Sequence, residues 1–294
     1  MKTKHIFLRF GVIVLFAAGI LFTAVSCNDA EPVILDLPSD EGGIGRDKEY
    51  EVPETSTDAT TETTETADTT VATNPPSTTA ATTDPYYPSV PDDGVLTICL
   101  DPGHGFGDVG TDSEYLGDLT EKDITLSVVN LIKEKLTALG YNVILTHDGM
   151  TFPKTAIDDG NNLFRPQERI SYVSELDIEF YLSIHCDNYT ADTSVKGTRI
   201  YYSLGTDHVR DSGAAAKQLM NGINEKLPNS KKAIIREMPY DSAYYVIRTC
   251  HVPSVLIEMG FVSNKTDAEN MLSEEWRQTF AEGIANGLHT YFAQ

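Results

Sequence analysis

From residue 95 to the C-terminus, short apolar runs alternate with stripes of helical spacing. Val95 to Leu100 is almost continuously apolar and stops at Asp101-Pro102-Gly103, which predicts a strand buried on both faces. Thr120, followed by Glu121 and Asp123, has the form of a capping box. After it Ile124, Val128, Leu131, Ile132, Leu136 and Leu139 recur every three or four residues up to Gly140, predicting one long helix. Tyr141 to Thr146 alternates as a strand. A helix is expected from Pro166 to about Leu176, strands at 180–184 and 198–202, a helix at 214–227, a strand at 255–257 and a last helix at 274–292. Strands and helices in turn, with no internal repeat, predict a single α/β domain with a mostly parallel central sheet flanked by helices. Residues 95–294 are enough chain for one such core.

The first 94 residues follow other rules. Lys2, Lys4 and Arg9 precede an apolar run, Gly11 to Val25, of signal-peptide length and short for a membrane span. It ends in Thr23-Ala24-Val25-Ser26-Cys27, which resembles a bacterial lipoprotein box. That resemblance implies a signal peptide over 1–26, lipid on Cys27, and an exported protein anchored to the membrane and facing the cell wall. In the stretch Glu54 to Asp84, 14 of 31 residues are Thr, and large apolar side chains are few. Such a segment cannot bury enough surface to offset its ordering entropy, so 27–94 is expected to be a disordered, acid-rich tether. The chain carries a formal charge of -22. An acidic chain lacks the basic footprint of a nucleic-acid binder, which excludes that class of partner. Past Cys27 the cysteines are Cys99, Cys186 and Cys250, an odd number without the spacing of a structural zinc knuckle.

Candidate chemistry gathers where strands meet loops, the usual place in α/β sheets. The first strand leads into Asp101-Pro102-Gly103-His104-Gly105, the third into His185-Cys186-Asp187-Asn188, and the last into Glu258-Met259-Gly260. Glu121 opens the first helix. Two imidazoles and a carboxylate are a known ligand set for catalytic zinc, and a second carboxylate can serve as base toward water. Gly103 and Gly105 let the chain turn tightly beside His104. Asp101 and Asp187 are candidates for orienting the histidines. Taken singly, a histidine after a strand is more often structural. His147, His208, His251 and His289 receive no metal role, with His251 near enough to Glu258 in sequence for an outer position. Trp276 reads as packing. Tyr201, Tyr202, Tyr244 and Tyr245 suit a glycan groove but more often pack a sheet.

Asp101-Pro102-Gly103-His104-Gly105, Glu121-Lys122-Asp123, Ser183-Ile184-His185 and Val255 to Asn264 stand in an order and spacing that resemble one family across 95–294. That family is the zinc-dependent N-acetylmuramoyl-L-alanine amidases, the bacterial cell-wall autolysin type. The resemblance implies zinc held by His104, Glu121 and His185, with Glu258 as general base toward zinc-activated water. It implies peptidoglycan as substrate, cut between N-acetylmuramic acid and the L-alanine of the stem peptide. It also draws attention to Arg169 and Arg248 as clamps for a stem-peptide carboxylate, each weighed against a structural ion pair. This chain departs from the pattern at His147, where Arg is frequent, and at Asp187, where Asn is frequent. No wall-binding repeat is visible, which leaves the lipid anchor as the targeting device. A zinc peptidase acting within the stem peptide shares the metal chemistry. An inactive wall-binding lipoprotein is the third reading, and the intact set His104, Glu121, His185 and Glu258 argues against it.

Overall fold

The computed structural model describes residue 90 and residues 93–151 and 160–294. The expected signal segment, Cys27 and all of the tether except residues 90, 93 and 94 lie outside the described residues. Six strands form one sheet: β1 (Thr97–Pro102), β2 (Asn142–Leu145), β3 (Phe180–Asp187), β4 (Arg199–Ser203), β5 (Ile234–Met238) and β6 (Ser254–Phe261). The helices are α1 (Glu121–Ala138), α2 (Pro166–Val173), α3 (Val209–Lys226), α4 (Tyr245–Arg248), α5 (Lys265–Leu272) and α6 (Glu274–Phe292).

The sheet order is β2-β1-β3-β6-β4-β5. Neighbours from β2 to β6 run parallel, whereas β4 runs antiparallel to β6 and β5 follows β4 in parallel. The expected α/β class with a mostly parallel sheet is therefore borne out.

Side chains on a strand alternate between faces, and this splits the core in two. Ile98, Leu100, Phe180, Leu182, Ile184, Val255 and Ile257 point to the face covered by the long helices α1, α3 and α6. Cys99, Tyr181 and Leu256 point to the other face, under the short helices α2 and α4. One face is thus sealed and the other lightly roofed. His185 and Glu258 fall on the lightly roofed side by the same count of two.

α1 starts as read from the sequence. The Thr120 amide donates to the Asp123 carboxylate at 2.9 Å, and Gly140 beyond its end takes a φ of 93°. Other elements run differently. β3 and β6 extend to Asp187 and Phe261, so His185 and Glu258 lie inside strands rather than after them. Both strands are central, and neighbours on each side hold their backbones past the apolar run. β5 has no clear apolar pattern because it is an edge strand, paired only with β4 and largely exposed. α5 buries only Asp267, Ala268 and Met271, too few positions to give a stripe.

α3 and α6 pack backbone to backbone through glycines. A Cβ on Gly222 would stand 2.2 Å from the Gly283 carbonyl oxygen and 3.0 Å from the Gly287 nitrogen. Helix propensity alone favours Gly222→Ala by about 1 kcal/mol, while overpacking costs about 1–3 kcal/mol. The prediction is a net loss of stability in Gly222→Ala, read as a lower midpoint in denaturant unfolding. A gain would disprove the close approach.

Candidate active site

The loop leaving β1 is held in a conformation that L-residues avoid. His104 has φ 62° and Phe106 φ 53°, with Gly105 between them at 118°. Arg169, on α2, carries much of the support. Its Nη1 donates to Asp101 Oδ1 at 2.7 Å and to the Pro102 carbonyl at 2.8 Å. Its Nε donates to the Phe164 carbonyl at 3.0 Å, and Nη2 donates to the His104 carbonyl. Asp101 also accepts from Thr146 at 2.6 Å and from Ser183 at 2.8 Å. Burial opposes ionisation of Asp101, yet the Arg169 guanidinium and the Thr146 hydroxyl hold its carboxyl well below the usual range. His147 completes the support: Nε2 donates to the Pro102 carbonyl at 2.9 Å and Nδ1 accepts from the Gly149 amide at 3.2 Å. Burial and then Arg169 push the pKa of His147 down to about 4, so the ring is neutral, as these two bonds require.

The loop delivers His104 to Glu121 and His185. One donor atom from each of the three lies within 4.8 Å of the others. His104 Nε2 is 3.1 Å from Glu121 Oε2, and His185 Nδ1 is 3.1 Å from Glu121 Oε1. Glu121 sits in the first turn of α1, where the helix dipole favours a negative charge. It is buried and accepts from the amides of Thr111 and Cys186, each at 2.8 Å. Asp108 accepts from His104 Nδ1 at 2.8 Å, which leaves Nε2 for the shared centre. Two glycines make room: a Cβ on Gly103 would come within 2.5 Å of His185 Nδ1, and one on Gly110 within 2.6 Å of His104 Cδ2. Burial works against a charge on His104, but Asp108 and Glu121 more than offset it and carry its pKa up to about 10. The same negative field favours a metal cation, which competes with that proton. Donor type, convergence and an oriented imidazole all fit a divalent metal.

Glu258 stands beside this centre, level with His185 on β3 and with Arg199 on β4. It is buried, and its Oε2 has no hydrogen-bond partner among the described residues. Burial raises its pKa well above the usual carboxylate value, with the charges of Asp187 and Glu121 adding to the effect and those of His104 and Arg199 opposing it. Arg199 Nη1 lies 3.3 Å from Asp187 Oδ2, and its guanidinium sits 4.4 Å over the Phe261 ring. His104, Glu121, His185, Asp187 and Glu258 face a cavity of about 380 Å³ whose walls also include Asn188, Tyr244 and Val246.

The four residues expected to carry the chemistry, His104, Glu121, His185 and Glu258, are therefore brought together. Arg169 lines the cavity too, but its donors are committed to the loop. Arg248 is not among the lining residues. It ends α4, with Nη1 3.5 Å from the Asp241 carbonyl and the guanidinium 5.5 Å from the Tyr245 ring. Asp101 supports the His104 loop instead of an imidazole, and Asp187 turns to Arg199 and the Asn188 amide. Asp108 and Arg199 have no place in the sequence reading, Asn188 enters it only as the end of the polar run after the third strand, and Tyr244, weighed there between glycan groove and sheet packing, lines the cavity. Asp108 four residues after His104 was a signal within reach; the others depend on strand pairing.

Residues 98–290 match the family described as N-acetylmuramoyl-L-alanine amidase. The chain belongs to this family. It is 32% identical over 199 residues to YqiI of Bacillus subtilis, a match covering 67% of this chain and 85% of that protein. It is 28% identical over 197 residues to the Bacillus subtilis N-acetylmuramoyl-L-alanine amidase LytC, covering 67% of this chain but 35% of LytC. Among solved structures it resembles the N-acetylmuramoyl-L-alanine amidase AmiC2 of Nostoc punctiforme, with a TM-score of 0.56, 27% identity, and 68% of this chain against 98% of that one. Membership of the N-acetylmuramoyl-L-alanine amidase family, read from the four sequence motifs, is thereby borne out.

The ion pair under the amidase loop gives a pH-dependent prediction. A carboxyl with its folded pKa depressed adds stability above its ordinary value of 3.8, lost as pH falls through the folded value. Asp101→Asn leaves Arg169 buried and unpaired, a cost of about 3–5 kcal/mol near neutral pH. The gap to wild type should narrow as pH drops below about 4, measured by urea unfolding across pH. A constant gap would mean that Asp101 is not stabilised as its anion.

Proposed function

We propose that the domain is a zinc-dependent amidase that hydrolyses the amide between N-acetylmuramic acid and the L-alanine of the peptidoglycan stem peptide. The observation that carries this reading is the meeting, in one cavity, of His104, Glu121 and His185 with a buried Glu258 whose Oε2 is unpaired. His104, Glu121 and His185 would hold the zinc, which supplies Lewis acidity toward the water and the scissile carbonyl. Glu258 moves the proton. Its carboxylate receives it from the attacking water and returns it to the L-alanine nitrogen as the C–N bond breaks. Burial, and after it the charges of Asp187 and Glu121, gives Glu258 its readiness to accept that proton, and His104 and Arg199 offset part of the effect. Asp108 keeps Nε2 of His104 turned to the centre. Tyr244 and Val246 form part of the cavity wall beside these groups.

The lipoprotein-like Thr23 to Cys27 supports an exported chain anchored in the membrane by lipid on Cys27, with 27–94 as a tether that lets the domain reach the wall.

The test is zinc content and cleavage of purified peptidoglycan by the full chain. Wild type should hold one zinc and release stem peptides with new L-alanine amino termini. His104→Ala and His185→Ala should lose both zinc and activity. Glu258→Gln should keep its zinc and lose about 100-fold or more in kcat. New termini inside the stem peptide would make it a peptidase, and full activity in any of the three variants would overturn the assignment.

A further inference from the structure

Glu258 Oε2 is not the sole unpaired acceptor in this cavity. Asn188 follows β3 by one residue and lines the same wall as Glu121 and His185. Its side-chain Nδ2 donates to Thr111 Oγ1 at 2.7 Å, while Thr111 donates its own amide to Glu121 Oε2 at 2.8 Å. One end of the Asn188 amide is therefore tied, through Thr111, to a residue of the metal centre. The other end, Oδ1, is buried without a partner among the described residues. The backbone there has little freedom to turn away. The Asn188 amide donates to Asp187 Oδ1 at 2.8 Å, and the Tyr189 amide to Ser263 Oγ at 2.9 Å.

A buried acceptor with no partner is costly, and native proteins rarely keep one unless something else fills it. The partner has to be a donor, because Oδ1 only accepts. It has to be slender enough to enter a cavity wall. On the amidase reading, on which this inference rests, the substrate brings secondary amides. The scissile nitrogen is occupied with Glu258, which leaves the acetamido N–H of the sugar and the N–H of the next stem peptide bond.

We propose that Asn188 is a specificity-determining residue whose Oδ1 accepts a hydrogen bond from a substrate amide N–H next to the scissile bond. The device selects by withholding: a ligand without that N–H enters and leaves Oδ1 buried and unpaired, which is how polar sites reject close analogues. Thr111 supplies the orientation, so the amide meets substrate with its acceptor end first.

The experiment uses the full zinc-loaded chain and N-acetylmuramoyl-L-alanyl-D-isoglutamine, following binding by calorimetry and cleavage by product analysis. Two analogues each exchange one N–H for an ester oxygen, either at the sugar acetamido group or at the bond after L-alanine. Asn188→Leu and the smaller Asn188→Ala are compared with wild type, with zinc content and melting temperature checked for both. The expected result is about tenfold weaker binding of one analogue to wild type, and about tenfold weaker binding of the parent to each variant. Each variant should bind that analogue no worse than the parent. Which analogue suffers tells sugar from peptide. The proposal is overturned if neither analogue loses affinity on wild type, if the variants bind the parent normally, or if the losses of analogue and variant add. Binding that depends on Asn188 without cleavage would sink the amidase reading and keep only the contact between Asn188 Oδ1 and an N–H of the muramoyl peptide. Cleavage with no dependence on Asn188 would do the reverse, and neither binding nor cleavage would overturn both.

Discussion

A single buried guanidinium joins the parts on which the rest of the molecule depends. Arg169 reaches from α2 to Asp101 at the end of β1 and to the carbonyls of Pro102, His104 and Phe164. Those bonds, with His147 on the Pro102 carbonyl and Lys122 on the Phe106 carbonyl, hold His104 and Phe106 at positive φ, a conformation that costs about 1–3 kcal/mol per residue. The strain has a use. It turns the His104 ring back over the sheet toward Glu121 and His185, which an extended continuation of β1 could not do. An arginine suits the position because its planar fork serves several acceptors at once and stays charged when buried.

The sheet divides labour between its faces. Three long helices cover one side, and α3 and α6 approach so closely that only glycine fits between them. Among the described residues the other side has the short helices α2 and α4, and the cavity opens there. The side-chain period of two places His185 and Glu258 on that thinner side, level with each other on adjacent strands. A rigid half thus carries a half that leaves room for substrate.

Charge at the centre is unbalanced by design of the donor set. Glu121, Glu258, Asp187 and Asp108 crowd one end of the sheet, and Arg199 offsets part of that field from across β6. Burial makes each carboxylate cost more to ionise, so they divide into two kinds. Glu121, hydrogen-bonded to two amides and two imidazoles, stays an anion; Glu258, raised by burial and then by the charges of Asp187 and Glu121, takes up a proton more readily. That split is what a metal ligand beside a proton carrier requires.

Local patterns were enough to make the α/β class, the long helix after Glu121 and the central strands legible, because each rests on near neighbours: an apolar run, a capping box, a glycine stop. His104, Glu121, His185 and Glu258 stood out through the resemblance of four motifs to one family, not through local pattern. The edge strand β5 and helix α5 were not legible, since exposure removed the apolar period from one and brevity from the other. Nor could sequence settle what each polar residue does. Arg169 and Arg248 look alike as candidates on paper, yet one is buried under the loop and the other ends a short helix outside the cavity. Asp101 and Asp187 flank the two histidines in sequence and turn to arginines in space. Arg199 lies 59 positions before Glu258 and is set opposite it only when β4 pairs antiparallel with β6. Roles of this kind depend on which backbone runs beside which, and only the assembled sheet decides that.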